Sequence, residues 1–310
     1  MRLFFVLFLV FSVALQLHAA PANFSQAKVL ARQQVYQDRS AVGDLYCGCP
    51  WQWRGKSGGR VDPHECGYQV RKQAVRAARI EWEHIVPASN FGRQRQCWQR
   101  GGRKHCEATD PVFSRMEADL HNLAPSVGEV NGDRQNFNYG LLPGAPARHG
   151  QCDFRVDFKQ RLVQPRPAIR GMVARVTFYM ADRYGLRLSR QQQQLYMAWD
   201  RDYPPSAWER RRDGRIAAIM GHHNPFVTGE RRWLLGYEPV RDGLEDTPAA
   251  PPRARMMPRA AKPIHGNRNS GVYHLPGCPS YDAMAERNRV IFQDRRQADA
   301  AGYRLAGNCR

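Results

Sequence analysis

Apolar residues fill the chain from Leu3 to Leu15 with Ser12 as the one interruption, after Arg2 and ahead of the small residues Ala19, Ala20 and Ala22. The run falls short of the roughly 20 residues that span a bilayer, and with its basic start and small-residue end it reads as a secretory signal peptide. Pro21 disfavours a cut directly before it, so residues 1–22 are assigned to the leader. No comparable run occurs later, so no transmembrane span is expected. Helical spacing is clear further on: Ile169, Met172, Val173, Val176 and Met180 follow Pro167, which suits a first turn. Ser189-x-x-Gln192 and Ser206-x-x-Glu209 open two more helices, the last closing at Gly221. Ser126-x-x-Glu129, with Pro125 ahead, reads as a capping box opening a helix toward Phe137. Arg79-Ile-Glu-Trp-Glu-His-Ile-Val-Pro87 is β-prone, with Glu81, Glu83 and His84 as polar interruptions. Turn-rich segments come first and helices later, which predicts an α+β fold over residues 23–240 in place of alternating βα units.

The pattern then breaks. Between Leu244 and Pro263 stand Pro248, Pro251, Pro252 and Pro258 among alanines, with no apolar periodicity. Residues 241–263 are read as a semi-rigid linker and 264–310 as a small separate module that needs a staple to hold a core of its own. Charge adds a partner: 47 Lys and Arg against 28 Asp and Glu leave +19, which calls for a polyanion, nucleic acid first. Export gives meaning to the eight cysteines, since an oxidising compartment makes disulfides their default fate. Cys47, Cys49, Cys66, Cys97, Cys106 and Cys152 lie in the first part and Cys278 and Cys309 in the tail, so three bridges and one are expected. Cys97 and Cys106 form the easiest local pair, with Gly101-Gly102 to make the reversal; sequence does not choose the other pairings of the first part.

Candidate chemistry centres on Glu83 and His84. A carboxylate is a hard oxygen ligand suited to Mg²⁺, and an imidazole is the side chain that serves as a base near neutral pH. Neighbours on a regular strand face opposite ways, so both reach one phosphate only where the strand twists, bulges or ends, as Pro87 suggests. Asn131, Arg134 and Asn138 recur at helical spacing and are read as one polar face beside buried Val127, Val130 and Phe137.

Tyr46-Cys-Gly-Cys49, Cys66-Gly-Tyr-Gln-Val-Arg71, Glu81-Trp-Glu-His-Ile-Val-Pro87, Phe91-Gly-x-Gln-Arg-Gln-Cys-Trp98, Gly101-Gly-Arg-Lys104, His121-Asn-Leu-x-Pro125, Gly128-Glu-Val-Asn-Gly-Asp-Arg134 and His223-Asn-Pro225 resemble, in order, the endonuclease I family of exported bacterial nucleases. The signal peptide makes a periplasmic or secreted protein the expectation, and a monomer is expected. The resemblance implies a ββα-metal core with additional helices. It implies dependence on one Mg²⁺ ion, with Ca²⁺ or Mn²⁺ able to replace it in binding. It further implies cleavage of DNA, often also RNA, through backbone contacts with little sequence preference, leaving 5′-phosphates. His84 would be the general base, Glu83 and Asn131 the metal ligands, and Arg103 the holder of phosphate or product. The family's further cysteine pair has no counterpart around Arg210 or Glu230–Trp233, which predicts a less tightly pinned last helix. The tail, with Val272-Tyr-His-Leu-Pro-Gly-Cys-Pro279 and Ala301-Gly-Tyr-Arg-Leu-Ala-Gly-Asn-Cys309, resembles a small Ada-like module. Its metal-binding form ends in Cys-x-x-Cys, and Ala306 stands at the first of those positions. A Cys278–Cys309 disulfide is favoured there; zinc on His274, Cys278 and Cys309 is the alternative. A basic binding or surface-adhesion protein without catalysis would share the charge and the linker. It would have no use for a hard-metal ligand beside a titratable base.

Overall fold

The computed structural model describes residues 20–245 and 263–309, in two compact units that divide at the junction of residues 246 and 247. Most of the expected leader and linker lies outside the described residues. In the first unit, strands β1 (Trp51–Arg54), β2 (Gly58–Val61), β3 (Arg79–His84) and β4 (Leu123–Val127) form an antiparallel sheet in that order. A smaller sheet joins β5 (Asn138–Tyr139), β6 (Arg155–Asp157) and β7 (Leu162–Gln164) with β7 in the middle. The helices are α1 (Phe24–Leu30), α2 (Ala74–Ala77), α3 (Ala88–Gly92), α4 (Gln96–Thr109), α5 (Pro111–Ala118), α6 (Gly128–Arg134), α7 (Pro167–Tyr184), α8 (Arg190–Asp202), α9 (Ala207–Met220) and α10 (Pro225–Thr228). The architecture is α+β, and no helix among the described residues is long and apolar enough to cross a membrane.

Local signals set the later helices. Pro167 starts α7, whose Ile169, Met172, Val173, Val176 and Met180 are all buried. Ser189 and Gln192 make the reciprocal capping box of α8, Ser206 caps α9, and Gly221 closes α9 at a left-handed φ of 78° that glycine adopts without strain. The last helix does not lack anchorage for want of a cysteine pair. Buried Arg212 donates to the carbonyls of Leu120, His121 and Leu123 and to the Tyr36 hydroxyl, while Glu209 pairs with Arg175 of α7. The chain also keeps its contacts with this unit beyond residue 240, since Arg241 donates to the Asp182 carbonyl and Asp242–Leu244 make a short 3₁₀ turn.

Two sequence expectations fail around residue 130. Ser126 does not cap a helix: it lies in β4 opposite Glu81, and α6 starts only at Gly128. Pairing with β3 carries the strand past the capping position. Glu129 instead takes the backbone N–H groups of Arg71, Lys72 and Gln73 and the Tyr68 hydroxyl. Nor do Asn131, Arg134 and Asn138 share a polar face. The helix stops at Arg134, Asn138 belongs to β5, and the Arg134 side chain is turned into the core at 1% exposure.

All eight cysteines are paired, as Cys47–Cys152, Cys49–Cys66, Cys97–Cys106 and Cys278–Cys309. Gly101 and Gly102 interrupt α4 with non-helical angles, which folds Cys106 back to Cys97. The tail unit holds β8 (Ile264–Asn267), β9 (Val272–His274), β10 (Arg289–Phe292) and β11 (Arg304–Leu305), in sheet order β10-β8-β9-β11, with α11 (Arg295–Ala300). Its core is small, built on Ile264, Tyr273, Phe292 and Ala298. Cys309 Sγ lies 3.7 Å from His274 Nδ1. With both sulfurs committed to the disulfide, the zinc alternative on His274, Cys278 and Cys309 lacks its thiolates and is set aside.

Candidate active site

β3 pairs with β4 in antiparallel register, Glu83 opposite Ala124 and His84 opposite Leu123, and β4 runs directly into α6. This is a ββα unit, and β3 ends at His84. Beyond that residue Ile85 N donates to the Asn122 carbonyl, and the Asn122 amide takes both the N–H and the carbonyl of Val86. Side chains alternate along the strand. Glu81 and Glu83 therefore face α6, and His84 faces the other way.

On the α6 side, Glu83 is 3% exposed. Its Oε1 accepts from the Tyr46 hydroxyl at 2.6 Å and lies 3.0 Å from Arg134 Nε. Tyr46 also shares a 2.6 Å bond with the Tyr139 hydroxyl, and Arg134 donates to the Ile85 carbonyl. Burial pushes the Glu83 carboxyl up to about 7, against the opposing pull of Arg134 and the Tyr46 hydrogen bond. Asn131 sits on α6 with its Nδ2 donating to Glu81 Oε2 at 3.3 Å. Among the described residues, Glu83 Oε2 and Asn131 Oδ1 accept no hydrogen bond, so each residue keeps one side-chain oxygen without a protein partner. Oxygen donors of this kind suit a hard cation such as Mg²⁺.

On the other face, His84 Nε2 donates to the Glu117 carbonyl at 2.8 Å, which leaves Nδ1 as the acceptor. The ring is 8% exposed, covered by the Phe24 ring at 4.7 Å, and burial lowers its pKa to about 3. It is therefore neutral throughout the physiological range. Arg103, on the stretch of α4 just after the glycine break, pairs through Nε with the Glu117 and Glu107 carboxylates. No hydrogen bond among the described residues uses its Nη groups, so its fork is open to a planar anion. Glu117 thus holds the His84 ring through its carbonyl and Arg103 through its carboxylate.

The four residues singled out by sequence fall into two pairs, Glu83 with Asn131 and His84 with Arg103, on the two faces of one strand end. Sequence reading missed the residues that hold them: Tyr46, Tyr139, Glu117 and the buried Arg134. Tyr46 carried one weak signal, an aromatic residue beside two cysteines; Glu117 carried none.

The buried groups set an acid-stability profile for the metal-free protein. His84, at about 3, and fully buried His121, lowered by burial to about 4, bind fewer protons folded than unfolded, so each costs stability as pH falls below about 6.5. Glu83 and Glu117, both raised by burial to about 7, bind more protons folded, so each adds stability as pH falls from 7 toward 4.5. The two effects oppose each other between about 4.5 and 6.5, and below that window the histidines act together with carboxylates that their hydrogen bonds hold low in the folded chain, such as Glu129 and Asp133. Urea midpoints measured in EDTA should therefore change little over that window and drop below it; a steep loss starting at pH 6.5 would contradict the assignment.

The fold and this site define an α+β nuclease with a ββα centre. The family model for endonuclease I matches residues 23–230, and the chain belongs to that family. An extracellular deoxyribonuclease of Aeromonas hydrophila is 47% identical over 218 residues, covering 69% of this chain and 92% of the relative. A periplasmic deoxyribonuclease of the same organism is 47% identical over 216 residues, covering 69% and 90%. Endonuclease-1 of Buchnera aphidicola subsp. Acyrthosiphon pisum (strain APS) is 43% identical over 205 residues, covering 66% and 80%. Residues 243–305 match a separate family model, ArfC.

Proposed function

We propose that this protein is an exported monomeric endonuclease that hydrolyses DNA, and RNA through the same backbone contacts, with one Mg²⁺ ion and little sequence preference. The observation that carries the reading is the end of β3, with a neutral imidazole on one face and, on the other, two residues that each keep one side-chain oxygen without a protein partner. The basic surface grips phosphates and positions the duplex without reading bases. Arg103 takes a phosphate oxygen on its open fork. His84 Nδ1 removes a proton from the attacking water, while the Glu117 carbonyl fixes the ring at its other nitrogen. Glu83 and Asn131 would hold a hard cation, which would supply polarisation of the phosphoryl group and stabilisation of the leaving 3′-oxygen. The leaving 3′-oxygen takes a proton from solvent water, so the products carry 5′-phosphate and 3′-hydroxyl ends, and the tail supplies further nucleic-acid contact.

Plasmid DNA incubated with the protein should be degraded in Mg²⁺ and left intact in EDTA; binding without cleavage in both would establish an inert binder instead. Glu83→Ala and Asn131→Ala should shift the Mg²⁺ dependence of cleavage to higher concentration. Titration curves that overlay the parent's would remove both residues from the ligand set.

A further inference from the structure

Glu81 does not belong to the ligand pair, yet it is built into the strand with unusual care. Arg76 and Arg79 both pair with its carboxylate, Arg76 Nε and Arg79 Nε each at 2.9 Å from Oε1. Arg76 Nη2 and Asn131 Nδ2 share Oε2. Helix α6 comes close enough for this because it carries glycine at the two points of contact. A Cβ at Gly128 would lie 2.9 Å from Glu81 Cδ and 2.7 Å from the Arg76 carbonyl, and one at Gly132 would lie 2.1 Å from Arg76 Nη1. The arginine–glutamate pair is thus slotted against the helix on both sides of Asn131 in sequence.

A carboxylate only accepts hydrogen bonds, so the Asn131 atom that meets Glu81 must be the NH₂ group. We infer that Glu81, clamped by Arg76 and Arg79, is a positioning residue that fixes the orientation of the Asn131 amide and so presents Oδ1 to the metal. The inference rests on Asn131 being a ligand. It also explains why an amide stands where a carboxylate would be the stronger partner for Mg²⁺: an aspartate at 131 would face the Glu81 carboxylate across a like-charge contact. Groups that orient ligands in this way typically change metal affinity about 10- to 100-fold when lost.

The test is Mn²⁺ binding to the DNA-free protein, followed by calorimetry or electron paramagnetic resonance, with thermal melting to confirm folding. Glu81→Gln should weaken binding about tenfold. The arginines claim the amide oxygen of the glutamine, its NH₂ group is left facing Asn131, and the Asn131 amide turns over. Asn131→Asp should also bind more weakly than the parent, although it gains a charge. The double variant Glu81→Gln/Asn131→Asp should recover affinity, because the glutamine NH₂ now donates to one aspartate oxygen and the other meets the metal. Glu81→Ala/Asn131→Asp should likewise bind more tightly than Asn131→Asp alone. A residue that merely supported the fold would not produce this reciprocal rescue. Asn131→Asp binding as tightly as the parent, or no gain in either double variant, would overturn the inference while leaving the ligand assignment in place. If Asn131→Ala itself binds Mn²⁺ like the parent, the ligand assignment fails instead.

Discussion

Replacing His84 by alanine is expected to lower cleavage by about 10² to 10⁴, the usual contribution of a positioned general base, while leaving DNA affinity nearly unchanged. The ring is well prepared for that task. Its Nε2 hydrogen is held by the Glu117 carbonyl, and burial keeps the ring neutral with Nδ1 as its acceptor. The phosphate grip proposed above lies elsewhere, in the basic surface and Arg103. The measurement pairs single-turnover cleavage in Mg²⁺ with fluorescence anisotropy of a labelled duplex in Ca²⁺. An alanine variant that cuts at the parent rate would remove His84 from the mechanism. One that fails to bind DNA would show that the residue serves the grip.

Reduction of the three disulfides in the nuclease unit should abolish activity altogether. Cys47–Cys152 and Cys49–Cys66 fix the loop on which Tyr46 stands, and the Tyr46 hydroxyl is one of the two groups that hold Glu83. Buried Asp44 ties the same loop to β4 by accepting from the backbone of Tyr46, Cys49 and Val127. Each lost bridge costs roughly 2 to 5 kcal/mol, against a total stability of about 5 to 15 kcal/mol for an ordinary domain. The Cys47–Cys152 bridge, with a sequence separation of 105, should matter more than Cys97–Cys106, with a separation of 9. Activity would be assayed before and after thiol reduction in mild denaturant, with thiol counting to confirm the product. Full activity with six free thiols would refute the link. A site that forms only after oxidation would keep the enzyme harmless to the chromosome of the cell that makes it.

What the sequence revealed and what it concealed follow from the range of the interactions. The caps of α8 and α9 and the reversal between Cys97 and Cys106 depend on residues a few positions apart, and each was legible as a local pattern. Glu83, His84, Asn131 and Arg103 could be singled out because they lie in compact motifs that resemble those of a known family, and the roles proposed for the first three are what the variants above test. The residues that support them could not be found in this way. Tyr46 reaches Glu83 across 37 positions and Arg134 reaches Ile85 across 49, so no window along the chain contains both partners. Ser126-x-x-Glu129 misled for a related reason: the local cap lost to strand pairing with β3 and to a Glu129 contact 56 to 61 positions away. Arg134 looked like a surface residue because its compensating acid, Glu83, is distant in sequence; once paired, it could enter the core.

Phe24 lies over the His84 ring, with the Arg103 guanidinium 5.3 Å from its own face. It is the second residue after Ala22, where the leader is expected to be removed. With the leader cut after Ala22, the candidate site would share its immediate surroundings with the new chain end, and the point of cleavage would become part of the enzyme's specification. A cut one or two residues late would remove Asn23, the cap of α1, or Phe24 itself, and uncover the imidazole. Extra residues left by an early cut, or an affinity tag fused at that end, would emerge beside the base. A recombinant version that begins at Asn23 with nothing added ahead of it avoids both defects.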